Sequence, residues 1–526
     1  MKKIIANEFE IHNLNYPKSY QDTQIRLTTP DGNFRNLSYF LYDENTSFNM
    51  EIYESKLIIK NGLESTRSFY ISTLEDQIIF SSDLTKILGC APEIDISCAL
   101  NFIFLGEVNR LNTIWKGVSI VPPGTSITID YSSKKLDVST TFLLDEIRSP
   151  CSNLYAVIAA EIRKNANECD GIIIEFSGGL DSTTLMYAAH EVAAINDKKI
   201  LAATWASNGC SSNDDVNHGA KIALSLGIEH VIFDIDPDML FEVITVDKYP
   251  DNPSVAICFE KFRRSFIQKS IEKLNVKYPL ILNGHGGDHV FYASPTVHML
   301  REALKDKGLA FFLKKSLELS CYRRVGLVQV IKEYLQRKSE TSYVKNRYIK
   351  PSICAAYFDK HSTKYGHFGN GEEFRNHSIE QALCENSNSK NRFENCHLSF
   401  PLTSSPVISY ARDIPVYDLF NSTQDRLVFR EEIFARCNSA AIFRRTKGHV
   451  TGVFQKSLYA KREKIRDLVY NGYLYEHEIL DLDKFESTLI SSSIGLGGIP
   501  YDFMKIIAFE LFVKSWDRRI SERKFK

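Results

Sequence analysis

The chain has 526 residues, enough for two to four domains. Its 64 Lys and Arg balance 65 Asp and Glu, so the net charge of −1 carries no electrostatic footprint for nucleic acid. With 44% apolar and 25% charged residues it reads as an ordinary globular chain that can bury a large core without staples. No apolar run approaches the ~18–20 residues of a membrane span. The start, Met1-Lys2-Lys3-Ile4-Ile5-Ala6-Asn7-Glu8, turns polar before a signal-peptide core could form, so a cytoplasmic location is expected. Eleven cysteines, an odd number with no C-x-x-C pair, argue against a zinc cage and a disulfide framework.

The first ~140 residues are rich in β-branched and aromatic runs, such as Lys56–Lys60, Phe69–Ser72 and Thr125–Ile129, and predict strands. Pro122-Pro123-Gly124 is a turn before the last of these. The polar stretch 131–150 predicts a domain boundary. Ser152 is a candidate cap for a helix with Leu154, Val157, Ile158 and Ile162 on one face. Gly171–Phe176 is a short apolar run expected of a buried parallel strand. A helix over 181–195, a strand over 199–205, a helix over 215–226 and strands over 230–234 and 278–283 follow. This alternation predicts a doubly wound α/β sheet. Beyond 300 the pattern is mainly helical, while 366–396 is polar, Asn-rich and without periodicity.

Two segments carry chemistry. Ser177-Gly178-Gly179-Leu180-Asp181-Ser182 follows a predicted buried strand and opens a predicted helix. Its glycines let the backbone approach a phosphate, helix N-terminal amides bind anions, and two serines add hydroxyl donors. It lacks the Gly-Lys-Ser/Thr of a Walker loop. Asn283-Gly284-His285-Gly286-Gly287-Asp288-His289 follows another predicted strand. Ligands of open parallel sheets sit at the strands' carboxyl ends, so the two loops are expected to face one ligand. Asp181 and Asp288 would share Mg²⁺, which takes one or two carboxylates plus phosphate oxygens and water.

On these residues the chain resembles the asparagine-synthetase-like ATP pyrophosphatases. Ser177–Ser182 is similar to their pyrophosphate loop and Gly284–Asp288 to their second nucleotide loop. Phe69–Leu88 and Thr113–Val118 through Pro122-Pro123-Gly124 resemble parts of a glutaminase-like domain, and Arg444–His449 resembles the Lys-bearing loop. The resemblance omits about 295–395. It implies a degenerate glutaminase-like (Ntn-type) α+β domain over 1–150, then a doubly wound parallel-sheet synthetase domain over 151–526 with a helical C-terminal part. Where glutamine-hydrolysing members carry a cysteine after the initiator Met, this chain has Lys2. The nucleophile is absent, so the resemblance implies an amine already present in the substrate. Gly284–Phe291, Pro415–Asn421 and Asp425-Arg426 with Arg430 look most like the lasso-peptide cyclases, the macrolactam synthetases of that group; β-lactam-forming relatives carry Tyr at the position of His285.

That resemblance implies ATP and Mg²⁺ as cofactors and a ribosomal precursor peptide as substrate. An Asp or Glu side chain would be adenylated and then attacked by the peptide's N-terminal amine. It also implies a leader-binding or protease partner. Ser177, Gly178, Gly179, Asp181, Ser182, Gly284, Gly286 and Gly287 would hold the nucleotide, with Trp205 and Ala206 near adenine. Trp205 reads equally as core. His285 is the candidate base, since an imidazole has the side-chain pKa nearest neutral, or else a structural ring in a tight turn. Glu318, on a predicted helix, would orient it, or is a solvated charge. Lys447 would stabilise the oxyanion or pyrophosphate, within a run that also reads as a basic face. Arg426 and Arg430 would meet a peptide carboxylate or lie on the surface, and 295–395 would form a substrate wall or lid. Two other readings stand beside this one: a β-lactam-type or ammonia-using amide ligase, and an inactive peptide-binding scaffold. Other ATP pyrophosphatases, such as tRNA-thiolating enzymes, NAD synthetase and argininosuccinate synthetase, fit Ser177–Ser182 alone.

Overall fold

The computed structural model describes residues 24–524 apart from 28–38, 44–47, 54–55, 64–67, 75–76, 82–83, 89–91, 107–110, 131–136, 143, 145–152, 207–212, 246–248, 337–345, 362–368, 391–392, 394 and 445–450. Lys2, Lys447 and the expected boundary near 150 lie outside the described residues. Among the described residues, nine strands precede that boundary: β1 Gln24–Leu27, β2 Tyr39–Asp43, β3 Phe48–Tyr53, β4 Lys56–Asn61, β5 Phe69–Leu74, β6 Gln77–Ser81, β7 Val118–Val121, β8 Thr125–Asp130 and β9 Asp137–Phe142. They form two antiparallel sheets, ordered β1-β6-β5-β7 and β2-β3-β4-β8-β9. At the turn between β7 and β8, Gly124 has φ +73° and a Cβ there would lie 2.8 Å from Leu63 Cδ2, so both conformation and space require glycine.

The predicted parallel sheet is present. Its strands are β10 Gly171–Glu175, β11 Lys199–Ala206, β12 Glu229–Asp234, β13 Leu280–Leu282 and β14 His397–Ser399, in the order β12-β11-β10-β13-β14 and parallel throughout. The period-2 alternation of a strand assigns its faces. Ile172 and Ile174 of β10 point to the layer that holds Ile158 and Ile162 of helix Leu154–Ala166 and Leu185, Ala189 and Val192 of helix Leu180–Ile195. Ile173 points to the opposite layer, with Phe262 and Phe266 of helix Glu260–Leu274. An apolar run with no polar alternation is what burial on both faces demands.

The structure corrects two local expectations. Helix Leu154–Ala166 is capped by Asn153, whose side chain accepts the Ala156 amide, where Ser152 was the expected cap. The polar segment 366–396 contains the 20-residue helix Gly371–Lys390, and β14 was not anticipated. That helix lacks an apolar stripe because its inward face is partly polar. Arg375 is fully buried and donates to the carbonyls of Ala411, Ile414 and Arg412, and Asn386 donates to Thr403. Tertiary hydrogen bonds do there what an apolar stripe does elsewhere.

The antiparallel part is packed into the same core as the C-terminus. Trp115, from Thr113–Val118, is buried against Trp516 at a centroid distance of 5.5 Å, and Phe102 of helix Ile96–Leu105 stacks on Phe509 of helix Tyr501–Lys524. Among the described residues, no helix is long and apolar enough to cross a membrane.

The strand order reverses between β11 and β13 around β10, which makes the carboxyl end of β10–β13 the ligand crevice of such a sheet. The loop after β13 is shaped for this place. Gly286 has φ +99°, and a Cβ there would fall 2.1 Å from Thr403 Cγ2. Gly286→Ala is therefore expected to cost at least about 1–3 kcal/mol through backbone strain and overpacking together, read as a lower urea midpoint at unchanged m-value.

Candidate functional site

The loop after β10 is held by its own serines. Gly178 adopts φ +71°, the Ser177 and Ser182 hydroxyls lie 3.1 Å apart, and Ser182 Oγ accepts the Ser177 amide at 3.2 Å. Helix Leu180–Ile195 starts here, with Gly179 at its cap position and no side chain capping its amides. The N-terminal amides of a 16-residue helix thus face the crevice with the dipole's positive end. The loop after β13 packs directly on this one. A Cβ at Gly284 would lie 3.0 Å from Asp181 Cβ, and one at Gly287 would lie 2.5 Å from Asp181 Oδ1. Glycine at both positions is what lets the two aspartates approach.

Asp181 and Asp288 converge on one buried cation. Arg426 Nη1 lies 2.9 Å from both Asp181 oxygens and 2.5 Å from Asp288 Oδ1, with the residue only 4% exposed. Burial works against the guanidinium charge, but Asp181, Asp288 and Asp425 outweigh it and hold Arg426 above its ordinary pKa. Arg430 is also buried. It donates to Asp425 Oδ1 at 2.9 Å and to the carbonyls of Ile442 and Arg444. For Asp425, burial raises the pKa, while Arg430, Arg426 and the Tyr322 hydroxyl hold it below the carboxylate range. In the structure neither arginine is a surface residue or faces an open peptide site; both are already paired.

His285 lies on the other side of the same loop. Asn283 Oδ1 accepts its amide at 2.7 Å, and its Nε2 lies 2.8 Å from Glu385 Oε2 on helix Gly371–Lys390. Burial would raise the Glu385 pKa, but the His285 contact, the His289 charge and a bond from Gln381 hold it low. Burial and the nearby His285 charge lower that of His289. Glu318, expected at His285, instead pairs with Lys315 at 2.8 Å and with Lys314 at 3.9 Å on its own helix, Leu300–Arg323. Lys315 in turn donates to the Phe420 carbonyl. The carboxylate beside His285 is Glu385, which lies in the segment that carried no sequence signal.

His285 opens into a cavity of about 380 Å³. Its walls include Gly106, Ile120 and Pro122 of the antiparallel part, Glu175, Trp205 and Asn283 at the sheet's carboxyl edge, Phe259 and Arg263 from the stretch 252–266, and Cys384 and Glu385 of helix Gly371–Lys390. Trp205 stacks on Phe259 with its ring at 6.4 Å and is 38% exposed. Ala206 is buried, and its carbonyl accepts the Ile235 amide. Glu175 was missed by sequence reasoning. It accepts from Asn283 Nδ2 at 2.6 Å and lies 3.5 Å from Arg263. Its signal was available, as the one charged residue in the run Gly171–Phe176.

Two carboxylates closing on a single nitrogen form a hard-oxygen pair that suits Mg²⁺, and the adjoining uncapped amides suit phosphate. The same pairing makes Arg426 structural. Arg426→Met leaves two neighbouring carboxylates without their shared cation, and breaking a buried pair costs about 3–5 kcal/mol. Thermal melts are expected to show this loss, with a larger rise on adding Mg²⁺ for the variant than for the parent protein.

Comparison with known proteins places this geometry. Residues 172–511, well over half of the chain, match the family model "Asparagine synthase". The chain is 23% identical over 437 residues to the "Microcin J25-processing protein McjC" of Escherichia coli, covering 82% of this chain and 77% of that protein. It is 29% identical over 84 residues to an NH(3)-dependent NAD(+) synthetase of Hyperthermus butylicus, a match covering 16% of this chain and 30% of that protein. Among solved structures, the NH3-dependent NAD synthetase of Campylobacter jejuni aligns at 12% identity and a TM-score of 0.21, covering 46% of this chain and 96% of that one. A score that low bears on neither fold nor function. The segment matched by the family model runs from β10 to helix Tyr501–Lys524 and contains Asp181, Asp288, His285 and Arg426. The chain belongs to the asparagine synthase family, whose members are ATP-using, amide-forming ligases.

Proposed function

We propose that this protein closes a macrolactam in a ribosomally made precursor peptide, as lasso-peptide cyclases do. It adenylates an Asp or Glu side chain and passes the acyl group to the peptide's N-terminal amine. The observation that carries this reading is the two-sided loop 283–289. One side brings Asp288 to Asp181 and Arg426; the other presents His285 to a cavity. A relative named for microcin J25 processing, matched over most of both chains, supports a peptide substrate. Residues 1–150 are read as the glutaminase-like domain that has lost its nucleophile, with the synthetase domain over 151–526. A leader-binding or protease partner belongs to the same proposal.

In the first step, a carboxylate oxygen of the peptide attacks the α-phosphorus of ATP and pyrophosphate leaves. The reacting groups are all anionic, so charge must be neutralised before they meet. The amides of the Ser177–Ser182 turn, with the Ser177 and Ser182 hydroxyls, hold the leaving pyrophosphate. Asp181 and Asp288 would hold Mg²⁺, which when bound would supply the positive charge that neutralises the phosphates and the attacking carboxylate. Gly284, Gly286 and Gly287 keep the second loop low enough for the nucleotide to lie across it, with the adenine towards Trp205 and Ala206. In the second step, the amine attacks the acyl carbon, AMP leaves, and the amine proton passes to His285. Glu385, against one ring nitrogen, takes the orienting role first expected of Glu318. Lys447 is assigned to the pyrophosphate or the oxyanion. The cavity walls hold the reacting end of the peptide and keep water from the adenylate.

The test is ATP–pyrophosphate exchange with leaderless candidate peptides, followed by mass analysis for loss of one water. Exchange driven by a linear peptide and a dehydrated product are expected; exchange driven by aspartate and ammonia would move the assignment to an asparagine-forming ligase, and none with any acid would leave a scaffold. Asp181→Ala and Asp288→Ala abolish exchange, whereas a fully active double variant removes the metal assignment. His285→Ala slows ring closure by about 10²–10⁴-fold with exchange retained; equal loss in both steps would make the imidazole structural.

A further inference from the structure

His285, His289 and Glu385 can be read as one site. His285 and His289 are four residues apart across the short helical turn Gly287–Val290, and their rings lie 5.2 Å apart at 60°. Glu385 reaches them from the facing helix Gly371–Lys390. One ligand atom from each of the three lies within 4.8 Å of the other two. Nδ1 of His289 is shielded from solvent and makes no hydrogen bond. Nε2 of His285, also shielded, already meets Glu385 Oε2 at 2.8 Å, so two of the three donors converge on one point.

We propose that His285, His289 and Glu385 form a binding site for a zinc-class divalent cation, separate from the Asp181–Asp288 pair. Two imidazoles and one carboxylate are the donor set of a three-ligand zinc site with an open fourth position, and two of these donors, His285 and Glu385, line the cavity. Bonds of ~2.0–2.1 Å place tetrahedral donors about 3.3 Å apart, so side-chain rotations of roughly an ångström complete the site. Donor softness keeps the two sites distinct. Imidazole nitrogens select zinc-like ions, while the all-oxygen aspartate pair selects Mg²⁺.

The contact between His285 and Glu385 holds either a proton or a metal ion. If His285 is the base, as proposed above, an occupied site retains adenylation and loses ring closure. This consequence rests on that reading; the binding itself does not.

The experiment titrates Co²⁺, as a spectroscopic stand-in for Zn²⁺, into the full-length protein without ATP or peptide, and then displaces it with Zn²⁺. The expected result is one equivalent bound, visible ligand-field bands with no thiolate charge-transfer band, and at least ten-fold weaker binding in both His289→Ala and Glu385→Gln. The two substitutions lie on different elements, and circular dichroism melts establish that each variant is folded. No saturable binding, a thiolate band from a cysteine site, or affinity unchanged in a folded variant overturns the proposal. Ring closure that persists with the site filled would instead count against His285 as the base and leave the site standing.

Discussion

Two carboxylates held within reach of one ligand repel each other unless a positive charge stands between them, and the rest of this structure is organised around that constraint. Asp181 lies in the first turn of the helix after the central strand, and Asp288 sits in a turn more than a hundred residues later. Their approach needs β10 and β13 to be neighbours, glycine at 284 and 287 so that the loops can touch, and a buried arginine to neutralise the pair. Arg426 is placed for this by a left-handed backbone, φ 49°, at the start of helix Leu427–Cys437. The neighbouring pair Asp425–Arg430 ties that turn to the carbonyls of Ile442 and Arg444. Arg444, whose carbonyl accepts from Arg430, is therefore anchored on the same charge network.

A second consequence is the division of labour within one loop. A tight glycine-rich turn reverses the chain within a few residues, so adjacent side chains point to opposite sides. Asp288 turns towards Arg426, which it shares with Asp181, and His285 turns towards a cavity bounded by the antiparallel sheets and helix Gly371–Lys390. The proposed activation of a carboxyl group and capture of an amine would need different environments: one charged, the other dry and shaped. In that proposal a boundary a few residues thick would keep the two apart.

Much of the fold was legible because its signals are local. An uninterrupted apolar run such as Gly171–Phe176 requires burial on both faces, and strand–helix alternation then leaves few topologies. The glycine spacing of 177–182 and 284–288 was legible because backbone proximity to an anion, or to another loop, tolerates no other residue. Helix Gly371–Lys390 was not legible: Arg375 and Asn386 face inward on tertiary hydrogen bonds, so no apolar stripe marks its inner side. Glu318 and Glu385 are both acidic residues in the helical region, and nothing local distinguishes them; Lys315 on its own helix engages the one, and His285 across a packing interface meets the other.

What chain order and residue chemistry settle alone is the inventory: an α/β sheet, two glycine-rich loops that each carry an aspartate, and a histidine between them. Which groups share a site is a matter of three dimensions. Arg426 read as a residue for a peptide carboxylate or for the surface until packing placed it between Asp181 and Asp288, and Glu385 had no role until its helix lay beside the second loop. The physical reason is that a side chain's chemistry is intrinsic, whereas its partner is set by contacts between segments far apart in the chain, which no local pattern encodes.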